Sequence, residues 1–228
     1  MTEDDRYAPL IDPAMRQVVI AQLGQSLDGR IATVNGHSHY VTGAEDRRHL
    51  HRLRSLVDAV VIGASTVAAD DPRLTVRDVE GPDPLRIVLD PRGRLPANRR
   101  VFEEAPETTV LVLGEGVTSP ASAVVDTMRL PLIPAGGFDP VSVLARLADR
   151  GCRRVLVEGG GRLVSACLHA GVLDYLYLSI APVIIGSGIQ GLDLPPISHM
   201  SAAHRPPARC YTLGQDMLFR LDLRGAAA

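Results

Sequence analysis

Short apolar runs recur along the chain at Val18–Leu23, Ala59–Ile62, Leu85–Leu89, Thr109–Leu113, Arg153–Val157 and Tyr175–Ile185. A last pair, Ala208–Leu213 and Met217–Leu223, is joined around Gly214. Runs of this length, rich in Val, Ile and Leu, read as strands. Between them, three- and four-residue spacing predicts helices over Ala44–Val57 (Leu50, Leu53 and Leu56 or Val57), Pro140–Arg150 and Gly161–Ala170. Strands alternating with helices predict an α/β fold with a mainly parallel sheet. The helix-free stretch after residue 173 adds antiparallel strands at the C-terminal end.

Composition narrows this picture. A chain of 228 residues with 46% hydrophobic and 22% charged positions suits one compact domain, expected over residues 17–228. Residues 1–16 mix acids and two prolines without periodicity, so a flexible arm, or a segment laid over a partner subunit, is expected there. The net charge of −2 and the lack of a basic block exclude the electrostatic footprint of a nucleic-acid binder. No apolar run reaches the roughly 20 residues of a membrane span, and Met1–Asp5 lacks the features of a signal peptide. A cytoplasmic protein is expected. Cys152, Cys167 and Cys210 stand far apart without C-x-x-C spacing and read as small core or surface residues.

Candidate chemistry is concentrated in Thr66–Arg77, where two carboxylates, two arginines and two threonines surround Pro72 directly after an apolar strand. Open α/β sheets place ligands at such strand ends. Thr66–Asp70 reads as a short helix or turn ended by Asp71-Pro72. Asp70, Asp71, Arg73 and Arg77 either neutralise one another on the surface, or Thr75 and Arg77 point together to the ligand edge, where a guanidinium suits phosphate or carboxylate. Ser26-Leu-Asp28-Gly29 reads as a tight turn or a pocket wall. Before the first long helix, Thr42 with Glu45 reads as a capping box, and Arg54 falls near that helix's end, where a cation meets free carbonyls.

Val155–Gly161 delivers Glu158 and three glycines from a buried strand to a helix start, a place for an anion such as a dinucleotide pyrophosphate. It is not a Rossmann fingerprint. Gly186–Gly191 does match G-x-G-x-x-G, but the prolines that follow bar a helix, so it reads as a strand-connecting loop. His37/His39 and His49/His51 lack a third ligand, and no metal is expected.

In order, S-L-D-G, V-T-G, D-A-V-V-I-G-x-x-T-V-x-x-D-D-P-x-L-T-V-R, P-x-R-I-V-L-D, V-L-V-E-G-G-G and L-D-x-L-x-L-x-I-A-P resemble the reductase domain of riboflavin biosynthesis, over about residues 17–223. The deaminase half that accompanies it in the bifunctional enzymes, with its H-x-E and P-C-x-x-C signatures, has no counterpart. The resemblance implies a dihydrofolate reductase-like fold and NADPH-dependent reduction of a 5-amino-6-(5-phosphoribosylamino)uracil-type phosphate from ribosyl to ribityl. It implies NADPH contacts at Gly24, Tyr40, Thr42, Thr66, Asp70, Gly159, Gly160, Gly161, Arg162, Leu163, Val164, Ser165 and Ala166. It implies substrate contacts at Ser38, Arg54, Leu74, Arg77 and Glu158, with Arg54 and Arg77 gripping the 5′-phosphate. Catalytic roles would fall to Glu158, Asp70 and the position of Gln22, where these enzymes typically carry a lysine; Tyr40 stands where they often have tryptophan. A homodimer is implied, with Tyr175–Ile185 as a contributor. A pteridine reductase, with Glu158 protonating the ring, and a non-catalytic NADPH-binding relative stay open as alternatives.

Overall fold

The computed structural model describes residues 3–12, 14 and 17–224. Its strands are β1 (Val18–Ser26), β2 (Arg30–Thr33), β3 (Ala59–Gly63), β4 (Leu85–Asp90), β5 (Thr109–Gly114), β6 (Asp126–Leu130), β7 (Arg154–Val157), β8 (Tyr175–Ala181), β9 (Gly188–Gln190), β10 (Ala208–Leu213) and β11 (Asp216–Asp222). The α-helices are α1 (Glu3–Ile11), α2 (Ala44–Arg54), α3 (Ala64–Asp70), α4 (Arg100–Glu103), α5 (Pro140–Asp149) and α6 (Gly161–His169). Nine strands form one sheet in the order β10-β11-β8-β1-β7-β3-β4-β5-β6, and β2 pairs with β9 in a separate ribbon. From β8 to β6 every pairing is parallel; β8–β11 and β11–β10 are antiparallel. The expected mixed sheet is therefore present.

Alternation along each strand builds two cores. Val18, Ile20, Val60, Ile62 and Leu156 pack with Tyr7 and Leu10 of α1, Leu53 of α2 and Val67 of α3. On the other face Val19, Ala21, Val61, Val155 and Val157 pack with Leu144 and Leu147 of α5 and Val164 and Cys167 of α6.

Several elements differ from the sequence reading. Glu3–Ile11 is a helix despite Pro9, held down by buried Tyr7 and Leu10; Tyr177 Oη donates to the Arg6 carbonyl at 2.7 Å and Arg154 Nε to the Leu10 carbonyl at 2.6 Å. The flexible-arm reading is corrected over that stretch, and residues 1, 2, 13, 15 and 16 lie outside the described residues. Strand β8 ends at Ala181 and is flanked by β1 and β11, so it offers no edge to a partner. Gly188–Gln190, read as loop, forms the ribbon strand β9. The edge strand β6 was missed because Asp126–Leu130 carries only Met128 and Leu130 as buried apolar positions.

Candidate active site

Strands β1, β3 and β7 are neighbours, and their C-terminal ends carry most of the candidate residues. From β3 the chain enters α3, which carries Thr66 and Asp70; from β7 it passes Glu158 and the glycines into α6. Thr66 Oγ1 accepts from the Gly160 N–H at 2.9 Å. Gly159 has φ +103°, where a side chain would be strained, and an added Cβ would lie 3.0 Å from Thr66 Oγ1. No side chain caps α6 at Gly160, leaving the helix start suited to an anion. Gly161 has a different reason: an added Cβ would stand 1.9 Å from the Gly191 carbonyl oxygen, so this glycine admits the chain's own β9 segment.

The next layer is a buried ion pair. Arg54, at the end of α2, donates through Nε and Nη2 to the two oxygens of Glu158, both at 2.7 Å, and through Nη1 to the Thr75 carbonyl at 3.1 Å. Arg54 is 6% and Glu158 5% exposed, which makes this a desolvated fork–fork pair. Burial works against the guanidinium, but Glu158 more than offsets it and raises the Arg54 pKa. Arg54, expected to grip phosphate, is engaged with Glu158 and ties the residue after β7 to the run around Thr75. Each Glu158 oxygen accepts from Arg54, so the carboxylate that the pteridine reading assigns to ring protonation is engaged in an ion pair.

The charges of Thr66–Arg77 do not neutralise one another. Asp71 Oδ1 accepts from the Arg100 N–H at 3.0 Å, and Arg73 Nε lies 3.0 Å from Glu104 Oε1. Asp70 Oδ1 accepts from Ser38 Oγ at 3.2 Å, joining a predicted cofactor residue to a predicted substrate residue. Arg77 Nη1 donates to Thr75 Oγ1 at 2.7 Å, so these two side chains do share a direction. Leu74, expected to contact substrate, has its side chain buried in the core and φ +60°. Tyr40 and Asp71 also have positive φ, so three of the four such non-glycine residues among those described are residues of this region. Tyr40 is exposed, with its ring against His39 and under the Arg47 guanidinium.

A second polar cluster lies at the opposite end of α2. Gln22 Nε2 donates to Asp46 Oδ1 and Ser179 Oγ, both at 3.2 Å, and Ser179 Oγ donates to Asp46 Oδ1. Gln22 Oε1 is buried without a partner among the described residues. Burial pushes the Asp46 carboxyl up, against hydrogen bonds from Ser179, Thr42 and Gln22. Thr42 is not the N-cap: that residue is Gly43, whose N–H donates to Asp216 Oδ2 at 2.6 Å, while Thr42 bonds Asp46. An added Cβ on Gly24 would lie 2.8 Å from Thr42 Cγ2, so Gly24 admits the Thr42 side chain. Asp46 and Ser179 were missed. A signal existed for Asp46, which falls four residues before Leu50 and seven before Leu53, on the apolar stripe.

Along α6, Val164 is in the core and Ser165 Oγ accepts from the Asp193 N–H at 2.9 Å. Leu163 packs against the same core, and Arg162 and Ala166 are exposed. Asp28 is held down to about 2 by the Ser26 hydroxyl and the Ile185 and Gly186 N–H groups, so the S-L-D-G turn pins the loop after β8. His49 is pushed down to about 3 by burial and by Arg6; its Nδ1 pairs with Tyr7 Oη at 2.9 Å. His51 Nδ1 accepts from the Arg77 N–H at 3.1 Å. The P-x-R-I-V-L-D arginine, Arg86, is fully buried and donates to the carbonyls of Arg73 and Ala105, fixing the floor of the Thr66–Arg77 run. Among the described residues no group of three or more His, Cys, Asp or Glu is placed to hold a metal, and no helix is long and apolar enough to cross a membrane.

Residues 17–219 match the family described as the RibD C-terminal domain. The chain belongs to that family. It is 36% identical over 220 residues to the 2,5-diamino-6-ribosylamino-4(3H)-pyrimidinone 5′-phosphate reductase of Methanothermobacter thermautotrophicus, covering 92% of this chain and 100% of that one. It is 32% identical to the riboflavin biosynthesis protein RibD of Aquifex aeolicus, over 89% of this chain but only 57% of that one. Among solved structures, Acinetobacter baumannii RibD superposes with a TM-score of 0.78 at 29% identity, over 91% of this chain and 58% of that one. The Saccharomyces riboflavin biosynthesis reductase Rib7 shares the fold, with a TM-score of 0.75 at 19% identity over 96% of both chains. The expectation of an oxidoreductase of riboflavin biosynthesis, using a nicotinamide cofactor on a small pyrimidine, stands on these matches to the RibD C-terminal domain family.

Proposed function

We propose that the protein is an NADPH-dependent reductase of a ribosylamino-pyrimidine 5′-phosphate, converting its ribosyl group to ribityl, and that it works as a cytoplasmic homodimer. The observation that carries the substrate reading is Arg77. Its guanidinium donates through Nη1 to the Thr75 hydroxyl and lies with Nη2 3.5 Å from His51 Nε2, and no carboxylate among the described residues pairs with it. Burial, then Arg54 and Arg73, lower its pKa, so a nearby phosphate would relieve an unmet positive charge. Of the carboxylates around it, Glu158 pairs with Arg54, Asp71 with Arg100 and Glu104 with Arg73, while the half-exposed Asp78 partly opposes the lowering without forming an ion pair with Arg77 among the described residues.

The cofactor fits the residues present. The uncapped start of α6 and the Gly159–Gly160 turn braced by Thr66 are suited to a pyrophosphate, and the Ser38–Asp70 contact borders them. When bound, the nicotinamide supplies hydride. The chain's own residues bind and orient: Arg77 holds phosphate, Arg54 fixes Glu158 and Thr75, and Asp70 with Ser38 accepts or donates hydrogen bonds at the site's rim. Gln22 supplies hydrogen-bonding groups but no cation, and with no lysine anywhere in the chain a lysine ammonium plays no part.

Purified protein with NADPH is tested against the 2,5-diamino-pyrimidinone and the uracil forms of the phosphate and against dihydropteridine. The expected result is NADPH oxidation with a pyrimidine phosphate. Oxidation with dihydropteridine alone would replace this reading, and binding without turnover would favour the non-catalytic relative. Light scattering tests the dimer.

A further inference from the structure

The C-terminal turn of α2 reaches the Thr75–Arg77 segment twice. Arg54 Nη1 donates to the carbonyl of Thr75, and the N–H of Arg77 donates to His51 Nδ1, both at 3.1 Å. His51 and Arg54 are three residues apart on one helix face, so the two side chains take alternate backbone groups of one extended segment. Because Nδ1 accepts, the neutral ring carries its proton on Nε2, which lies 3.6 Å from Asp78 Oδ2 and 3.5 Å from Nη2 of Arg77, so the ring also borders the guanidinium. His51 itself is buried, 5% exposed.

We infer that His51 is a positioning residue, whose unprotonated Nδ1 holds the backbone of Arg77 so that the guanidinium faces the substrate phosphate. The inference rests on the proposal that Arg77 binds that phosphate. It follows that phosphate binding weakens in acid. A proton on Nδ1 would face the Arg77 N–H, two donors opposed, and the segment would keep only its holds at Thr75 and Val76. The charged groups around the ring are Arg54 on α2, Arg77 and Asp78 on the segment, and Glu158 after β7. Burial first, then Arg54, against Asp78, lower the His51 pKa below its ordinary 6.5, so the contact is intact at neutral pH and fails only below that value.

The test compares His51→Ala with His51→Asn, whose Oδ1 can take the place of Nδ1 but does not titrate. His51→Ala is expected to raise KM for the pyrimidine phosphate about five- to tenfold, the effect of one lost backbone hydrogen bond, with kcat and the NADPH KM within about twofold. His51→Asn is expected to restore KM to within about twofold and to lack the acid rise in KM that wild type shows below about pH 6.5. The substrate phosphate also titrates near there, so the difference between wild type and His51→Asn is the readout. Calorimetric titration with ribose 5-phosphate runs in parallel, independent of turnover. Wild type that binds this probe several-fold better than His51→Ala but reduces no pyrimidine would defeat the reaction proposal and keep the role of His51. Equal probe affinity and KM in wild type and His51→Ala, a His51→Asn variant as impaired as His51→Ala, or an unchanged acid rise in His51→Asn would overturn it.

Discussion

The two ends of α2 treat a buried carboxylate in opposite ways. At the C-terminal end Glu158 meets a bidentate guanidinium at 2.7 Å, and the pair continues through Thr75 and His51 to Arg77. At the N-terminal end Asp46 meets only neutral donors, from Ser179, Thr42 and Gln22, with Asp216 as a further negative neighbour. The first arrangement fixes a segment in place at the cost of desolvating two charges. The second leaves an acid whose charge is opposed by its surroundings. A site that must hold a phosphate against water suits the first end, where Arg54 and the backbone of Arg77 are rigidly framed.

The largest expected effect comes from breaking the framed end. Arg54→Leu leaves Glu158 buried and unpaired and should cost about 3–5 kcal/mol, read from urea unfolding. The double variant Arg54→Leu/Glu158→Leu should recover most of that loss. If the single and double variants lose equally, the pair is not what tensions this end.

His49, between the two ends, gives the next effect. Its folded-state value of about 3 is below the ordinary 6.5, so its contribution is complete above 6.5 and is lost as pH falls towards 3. Wild type should lose about 3 kcal/mol between neutral pH and about pH 4 from this group, and His49→Phe should not. Parallel acid unfolding curves for the two would contradict this.

Asp46 should give the smallest effect, with the opposite sign. Its folded value is raised above 3.8, so its charge costs stability as pH rises from 3.8 through the folded value. Asp46→Asn should therefore be more stable than wild type at neutral pH and equal to it below 3.8, and Gln22→Lys should likewise flatten the slope. A thermal midpoint of Asp46→Asn below wild type at neutral pH would show that the neutral donors already satisfy the charge.

Much of this was legible in the sequence because strand runs and motif order are local. The parallel sheet, α2, α5 and α6, the turn at Asp71-Pro72 and the shared direction of Thr75 and Arg77 followed from spacing alone. What escaped depends on partners far along the chain. Arg54 and Glu158 are 104 positions apart, so a cation at a helix end read as a partner for the last carbonyls, and its ion pair with Glu158 was not visible. Thr42 met every local condition for a cap, but Asp216, 173 positions away, takes Gly43 and leaves Thr42 to Asp46. Gly161 looked like a ligand cradle, and the strand that needs its missing side chain was itself read as a loop. The helix Glu3–Ile11 has poor local propensity, with Pro9 inside, and exists because Tyr7 and Leu10 are buried against the sheet face.

The central claim is that Arg77, framed by Arg54 and His51, reads the substrate phosphate. It is tested most directly by measuring kcat/KM for the pyrimidine phosphate and for its dephosphorylated form in wild type and Arg77→Ala. Wild type should prefer the phosphate, and Arg77→Ala should lose about 10- to 100-fold of that preference, the range for a charge-assisted hydrogen bond, with the NADPH KM and thermal midpoint unchanged. An Arg77→Ala variant that keeps the full preference would contradict the account.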